Sequence, residues 1–227
     1  LAAILLDRYP GAADELVPRL ASGEAHAGVA TEEGTLTARR DEAGGLVIDG
    51  DAGLVLGADE DAVLLLPVAY DDTLRWFVVG PGTPGVEVEP STPLDASQAL
   101  ARVRLNAAVV PPAALIVGLD DAVVRDMAVT LAAAEASGVA AWCLRTASEY
   151  AAVREQFGQK IGAFQAVKHL CAHALCRAEQ AGALAWDAAR AADDSADQHT
   201  FASAIAGAAA LDAAVANAKD CIQVLGG

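Results

Sequence analysis

The residues best suited to chemistry in this 227-residue chain stand in one run, Arg154-Glu155-Gln156-Phe157-Gly158-Gln159-Lys160-Ile161-Gly162-Ala163-Phe164-Gln165. Arg154 brings a permanent cation whose planar fork of donors can meet phosphate or pyrophosphate oxygens two at a time. Gln156 and Gln165 add amide donors and acceptors, while Phe157 and Phe164 add flat apolar faces. Gathered at a corner between helices, these groups could hold a nucleotide-type ligand. The run also reads as an ordinary helix hairpin, with Gly158 and Gly162 permitting the turn. Elsewhere, His169, His173 and Cys176 fall at i, i+4 and i+7 on one helical face. No fourth ligand is visible, so no metal site is expected. Asp193, Asp194 and Asp197 read as a solvated inter-helix loop. Glu135, set among Ala132, Ala133, Ala134 and Ala136, must pair, meet water or titrate high. An interface hydrogen bond or an exposed edge is the expected reading there. No glycine-rich loop follows a strand, which leaves P-loop and dinucleotide-fold readings without support. Serine and histidine nowhere form an arrangement that marks a nucleophile.

The elements around this corner follow from texture. Residues 1–27 read as one or two short helical pieces broken at Pro10-Gly11 and ending before Ser22-Gly23. Residues 28–113 carry short apolar runs, Leu46-Val47-Ile48, Leu54-Val55-Leu56, Val63 to Leu66, Trp76 to Val79 and Val86-Glu87-Val88, separated by Gly, Asp and Pro turns. That spacing predicts a compact antiparallel, barrel-like β-domain. Arg102-Val103-Arg104-Leu105 alternates as a half-exposed strand should. Residues 114–227 predict three long helices. The first runs from Asp120-Asp121 to about Phe157, apolar around most of its circumference and therefore buried on several sides, as at the centre of a bundle or at a subunit interface. The second spans roughly Phe164 to Ala192, with Val167, Leu170, Ala174, Ala178 and Ala181 on one stripe. The third begins after Asp197, carries Leu211, Val215, Ala218, Ile222 and Leu225 at three- and four-residue steps, and stops at Gly226-Gly227. The fold class is α+β: a helical remnant, a β-domain and an antiparallel helical bundle.

Composition bounds the partners. With 31 acidic against 15 basic residues, the net charge of −16 argues against nucleic acid and anionic membranes as partners. An anionic ligand would have to be met by local cations such as Arg154. Much of the 54% hydrophobic content is alanine, suited to closely approaching helices. No signal peptide and no uncharged apolar run of membrane-spanning length is read, and Cys143, Cys171, Cys176 and Cys221 form no CxxC pair. Reduced thiols and a cytoplasmic location are expected.

The run from Arg154 to Gln165 resembles the Arg-x-(Gln/Thr)-Phe-Gly…Ile-Gly-x-Phe-Gln segment of the acyl-CoA dehydrogenase family of flavoproteins. Gln223-Val224-Leu225-Gly226-Gly227 is similar to that family's Gln-(Ile/Val)-x-Gly-Gly, and Pro84 through Asp95 resembles its middle-domain strands. The resemblance implies an N-terminal helical domain, a middle β-domain and a C-terminal helical bundle, assembled as tetramers that oxidise an acyl-CoA to its trans-2,3-enoyl-CoA. It implies FAD shared across a subunit interface. Arg154, Gln156, Phe157, Phe164, Gln165, Gln223, Gly226 and Gly227 would then hold the adenine and pyrophosphate side.

Departures from the family pattern are as informative. Thr31-Glu32-Glu33-Gly34 stands where the family has Thr-Glu-Pro-x-x-Gly-Ser-Asp. Asp49-Gly50-Asp51-Ala52-Gly53-Leu54-Val55-Leu56 stands where it has Asn-Gly-x-Lys-x-Trp-Ile-(Thr/Ser). Leucine neither stacks like indole nor donates like a hydroxyl. In most of the family the catalytic glutamate lies beyond the Gly-Gly, past Gly227; its alternative position aligns with Ala128, its neighbouring arginine with Val129, and Lys160 replaces a proline. No catalytic residue is therefore expected in this chain. The resemblance implies a non-catalytic subunit whose partner, a homologous catalytic acyl-CoA dehydrogenase subunit in an α2β2 complex, carries the base and the flavin ring. Heteromeric dehydrogenases of this kind occur in actinobacterial steroid side-chain degradation. The alternatives are a complete homotetrameric dehydrogenase seen in part, with Glu135 or an absent segment as base, and a purely structural partner.

Overall fold

Alternating apolar residues and turn-forming glycines and aspartates drive the first half of the chain into strands, and alanine drives the second half into helices. The computed structural model describes residues 1–11, 13–32, 34–42 and 44–227; Glu33 of the short loop noted above lies outside them. The chain divides into two compact units, Leu1–Val124 and Arg125–Gly227.

In the first unit, helices α1 (Ala2–Arg8) and α2 (Leu16–Ser22) precede an eight-stranded sheet. Its strands are β1 (Ala27–Val29), β2 (Thr37–Arg40), β3 (Leu46–Leu56), β4 (Val63–Tyr70), β5 (Thr73–Val79), β6 (Val86–Pro90), β7 (Leu100–Val110) and β8 (Leu115–Ile116). The order is β6-β7-β3-β1-β4-β5-β8, with β2 pairing β3 and β4. Val86 and Val88 from one end and Leu115 from the other pack on the same core around Ile48, Val55, Leu66, Phe77 and Val103, so the sheet curls around a single interior. Most pairs are antiparallel as expected, but β1 and β2 each run parallel to β4. The runs 46–48 and 54–56, separate by their texture, join into one eleven-residue strand. Two register shifts in the β3–β7 ladder absorb the polar stretch between them. At one of these, the Asp49 carboxylate accepts from the Ala107 amide at 2.6 Å, which holds Ala107 at φ 49°.

In the second unit, α3 (Asp121–Val153), α4 (Gln165–Asp194) and α5 (Ala196–Leu225) pack through alanine. Ala133, Ala140, Ala181, Ala188, Ala206 and Ala210 form the centre of that core. Side chains one methyl long let the backbones approach closely enough for polar ties to cross between helices. Asn217 donates to the carbonyls of Ala140 and Ala174, both at 3.0 Å, and accepts from Arg177 Nε at 2.7 Å; Arg177 also pairs with Asp220. The Thr130 hydroxyl spends its proton on the Asp126 carbonyl at 2.8 Å, so its oxygen accepts from His199 Nε2–H at 2.9 Å.

Three helix expectations are corrected. First, α3 ends at Val153 instead of Phe157, and within this chain one stripe of it is buried while Val139, Trp142 and Val153 are exposed. Second, α5 buries Ala202, Ala206, Ala210, Ala213, Asn217, Cys221 and Val224. Its larger stripe, Leu211, Val215, Ile222 and Leu225, faces outward because only the small side chains fit against α4. Third, the acidic loop at 193–197 shrinks to Ser195. Arg190 pairs with Asp187 and Asp194, carrying α4 through the acids, and the Ser195 hydroxyl accepts from the Gln198 amide as the N-cap of α5. By length and composition α3 and α5 could each cross a membrane; in the bundle, 33% and 39% of their most apolar windows are buried.

Candidate functional site

The corner after α3 is built by the backbone before any side chain acts. Arg154 is locked on both sides: its amide donates to the Tyr150 carbonyl at 2.9 Å and its carbonyl accepts from Ile161 at 2.8 Å. Between these anchors β9 (Glu155–Gln156) and β10 (Gln159–Lys160) form a two-residue hairpin, not the helix end expected from sequence. Phe157 at φ 54° and Gly158 at φ 79° supply the left-handed pair that such a turn requires. A 3-10 turn, Ile161–Ala163, then leads into α4. A Cβ on Gly162 would meet the Ala151 carbonyl oxygen at 2.8 Å, so glycine there lets the turn sit against the end of α3.

Several of the expected site residues converge on this corner. Phe157, 93% exposed, sets its ring edge-to-face on Phe164 at 6.2 Å between centroids, with 86° between the planes. Gln165 lies 3.4 Å from His169 through its amide nitrogen, and Gln156 donates to the Glu155 carbonyl at 2.8 Å. Arg154 is exposed, and its guanidinium has no hydrogen bond or ion pair among the described residues. Cys143, Ala147 and Ala151 of α3, Ile161, Val167 and Leu170, and Cys221 and Val224 of α5 form one apolar cluster. That cluster brings the end of α5 to the same end of the bundle. There Gly226 at φ 97° and Gly227 close the helix, donating to the carbonyls of Gln223 and Ile222. Arg154, Gln156, Phe157, Phe164, Gln165, Gln223, Gly226 and Gly227 thus share one end of the bundle, held by three helices.

The remaining candidates fall elsewhere. His169 and His173 stack with centroids 6.5 Å apart, and among the described residues no three metal-binding side chains come together. Glu135 is exposed on α3 in this chain, as either an edge or an interface position would be. Ala128 and Val129 are half-buried, and a Cβ on Gly207 would come within 2.6 Å of Val129 Cγ1, so helix packing occupies this position. On the first unit, Leu54 and Leu56 stand 51% and 54% exposed, with Val55 between them fully buried. Sequence reasoning missed the charged cluster on that strand. Arg102 donates to Asp51 at 2.8 Å, while Arg104 reaches Asp51 at 3.5 Å and Glu89 at 3.0 Å. The Arg102 hydrogen bond, aided by the Gly53 amide, holds the Asp51 carboxyl below the ordinary carboxylate range. Alternation along Arg102–Leu105 was the one signal available; the partner strand was not legible.

Residues 127–227 match the family model "Acyl-CoA dehydrogenase, C-terminal domain". The chain is 49% identical over 209 residues to acyl-CoA dehydrogenase FadE34 of Mycobacterium tuberculosis, a match covering 92% of this chain. The chain belongs to the acyl-CoA dehydrogenase family. Among solved acyl-CoA dehydrogenases, the glutaryl-coenzyme A dehydrogenase–glutaryl-CoA complex superposes over 99% of this chain with TM-score 0.89 and 25% identity. The Tcur3481-Tcur3483 steroid ACAD variant superposes over the whole of this chain with TM-score 0.85 and 27% identity. The chain spans 28% of FadE34 and 62% and 63% of those two structures.

Proposed function

We propose that this chain is a non-catalytic subunit of an FAD-dependent acyl-CoA dehydrogenase, contributing the adenine and pyrophosphate side of an FAD whose flavin ring is held by a homologous catalytic partner, in an α2β2 assembly. The carrying observation is an asymmetry between two places in the chain. At the end of the bundle an uncommitted guanidinium, two phenylalanines, a glutamine and a glycine-capped helix terminus offer the donor set a dinucleotide's phosphates and adenine need. On β3 the positions that in the family stack on and donate to the flavin hold two exposed leucines. The donor set fits one half of FAD, and the leucines do not fit the other.

In this reading Arg154 neutralises and orients the pyrophosphate, Phe157 and Phe164 shield one side of the dinucleotide from water, and Gln165 and Gln223 supply polar contacts. When bound, FAD supplies the hydride acceptor for α,β-dehydrogenation of an acyl-CoA. In this reading the proton at the α-carbon falls to the partner; Ala128, at the family's alternative base position, cannot accept one. A CoA ester of a steroid side chain is the favoured substrate class, supported by the likeness to a structure titled a steroid ACAD. The cytoplasm is the proposed location.

The test is to purify the chain alone and with a co-expressed catalytic partner, and to measure bound flavin by absorbance. The expected result is a colourless lone chain and a yellow complex. Arg154→Ala should lower flavin retention in the complex by about tenfold or more, the scale of a lost charge-assisted pair. Flavin and acyl-CoA turnover in the lone chain would favour the complete-enzyme reading. Retention unchanged in Arg154→Ala would favour a purely structural partner.

A further inference from the structure

An open groove of about 560 Å³ lies between the end of α3 and the beginning of α4. None of the eight residues assigned to the dinucleotide lines it. At 3.6 residues per turn, Val167 and Cys171 in its wall sit about 200° and 240° around α4 from Gln165 and Lys168 about 60° from it, so the groove runs from beside Gln165 round to the far face of that helix. Its apolar wall is Ala151, Ala152, Ala163 and Val167, and its only charged lining residues are Lys160 and Lys168. These are two of the three lysines in a chain of net charge −16. Both are exposed, and neither ammonium has a hydrogen bond or ion pair among the described residues. Register sets Glu155 across the hairpin from Lys160, yet no ion pair joins them.

Two neighbours strengthen the positive field. The 30-residue helix α4 begins with no side-chain cap and no acid in its first turn, which leaves its positive end uncompensated beside Val167 and Lys168. Cys171, which also lines the groove, has its thiol pushed up, chiefly by burial, so that wall stays neutral. An apolar trough with two unpaired cations suits neither a bare inorganic anion nor a neutral lipid. Its volume lies within the usual range for small-molecule sites.

We infer that this groove binds an amphiphilic anion, an apolar chain or ring body lying along α3 and α4 with its carboxylate held by Lys160 and Lys168. The site adjoins the proposed dinucleotide contacts but shares no residue with them, and its occupancy is read without flavin.

Cys171 provides the readout. In the full chain carrying Cys176→Ser, which removes the exposed thiol, N-ethylmaleimide alkylation of half-buried Cys171 is followed by mass spectrometry with dodecanoate, dodecanol or inorganic phosphate present. Dodecanoate is expected to slow alkylation saturably, and the other two at the same concentration to leave it unchanged. K160E combined with K168E should raise the half-protecting dodecanoate concentration at least tenfold. K219E, at the third lysine, and R154A should not change it. Absence of protection by millimolar dodecanoate would overturn the inference. So would equal protection by dodecanol or by phosphate, or protection indifferent to the lysine pair. Flavin plays no part in the readout, so this inference and the cofactor reading fail separately.

Discussion

Phe157 occupies a backbone conformation that a bulky residue avoids, at φ 54° with a 93% exposed ring. Left-handed strain at a non-glycine residue costs on the order of 1 kcal/mol, and the edge contact with Phe164 returns about as much. Phe157→Asn should therefore change unfolding free energy by less than about 1 kcal/mol, while flavin retention by the complex falls; denaturant titration and flavin absorbance check the two halves. Asn217 is the opposite case, buried and committed to three hydrogen bonds. Asn217→Ala strips partners from two carbonyls and from Arg177, and should cost about 3 kcal/mol in urea unfolding of the second unit. Asp51 gives a pH signature. Its carboxyl is depressed first by the Arg102 hydrogen bond, so its contribution is present above the unfolded carboxylate value of about 4 and is lost as pH falls through the lower folded value. Asp51→Asn should flatten the acid limb of the first unit's stability against pH; an unaltered limb would show that other carboxylates set it. Arg154 and a turn permitted by Gly158 were legible from residue type, because permanent charge and left-handed glycine are local properties; left-handed Phe157 was not, since the first helix was expected to run through it. The Asp51 and Asn217 ties were not, since each joins residues far apart in sequence.

Among the elements, the existence of α4 and its alanine stripe was readable because a single hydrophobic face repeats along it. For α3 and α5 the pattern was nearly uniform, and an apolar helix all round does not reveal which face packs. Size decided it: methyl groups went inward and leucine, valine and tryptophan outward. Gly207 shows how closely the surfaces meet, since an added Cβ would reach Val129. Gly207→Ala alone should therefore destabilise the bundle despite its better helix propensity. In a Val129→Ala background it should cost nothing or stabilise by up to about 1 kcal/mol. A double-mutant cycle by thermal unfolding measures this coupling. On the sheet, β3 emerged as one long strand because bulges let its polar middle stay in the ladder, a compensation invisible to alternation alone.

For the whole molecule, exposed apolar surface is the dominant fact. Trp142 is 57% and Trp186 80% exposed, and Phe201, Val215 and Ile222 are open as well. Surface of this kind marks an interaction site, and in the proposed reading the partner subunit covers it. The lone polypeptide should run above monomer mass or aggregate in light scattering coupled to gel filtration, and a co-expressed catalytic subunit should convert it to a defined complex. A monodisperse monomer would count against the subunit reading. From the order of residues alone came the α+β class, the helical and stranded halves, the cationic corner and the leucines where the resembled family has its flavin-contacting residues, because periodicity, turn chemistry and motif spacing are written along the chain. Tertiary structure alone decided the parallel strands, the hairpin in place of a helix end, the gathering of Arg154, Gln165 and Gly226 at one end of the bundle, and the groove beside Lys160 and Lys168. Those depend on which surfaces meet, and close packing settles that only when the strands of the one unit, or the three helices of the other, are present together.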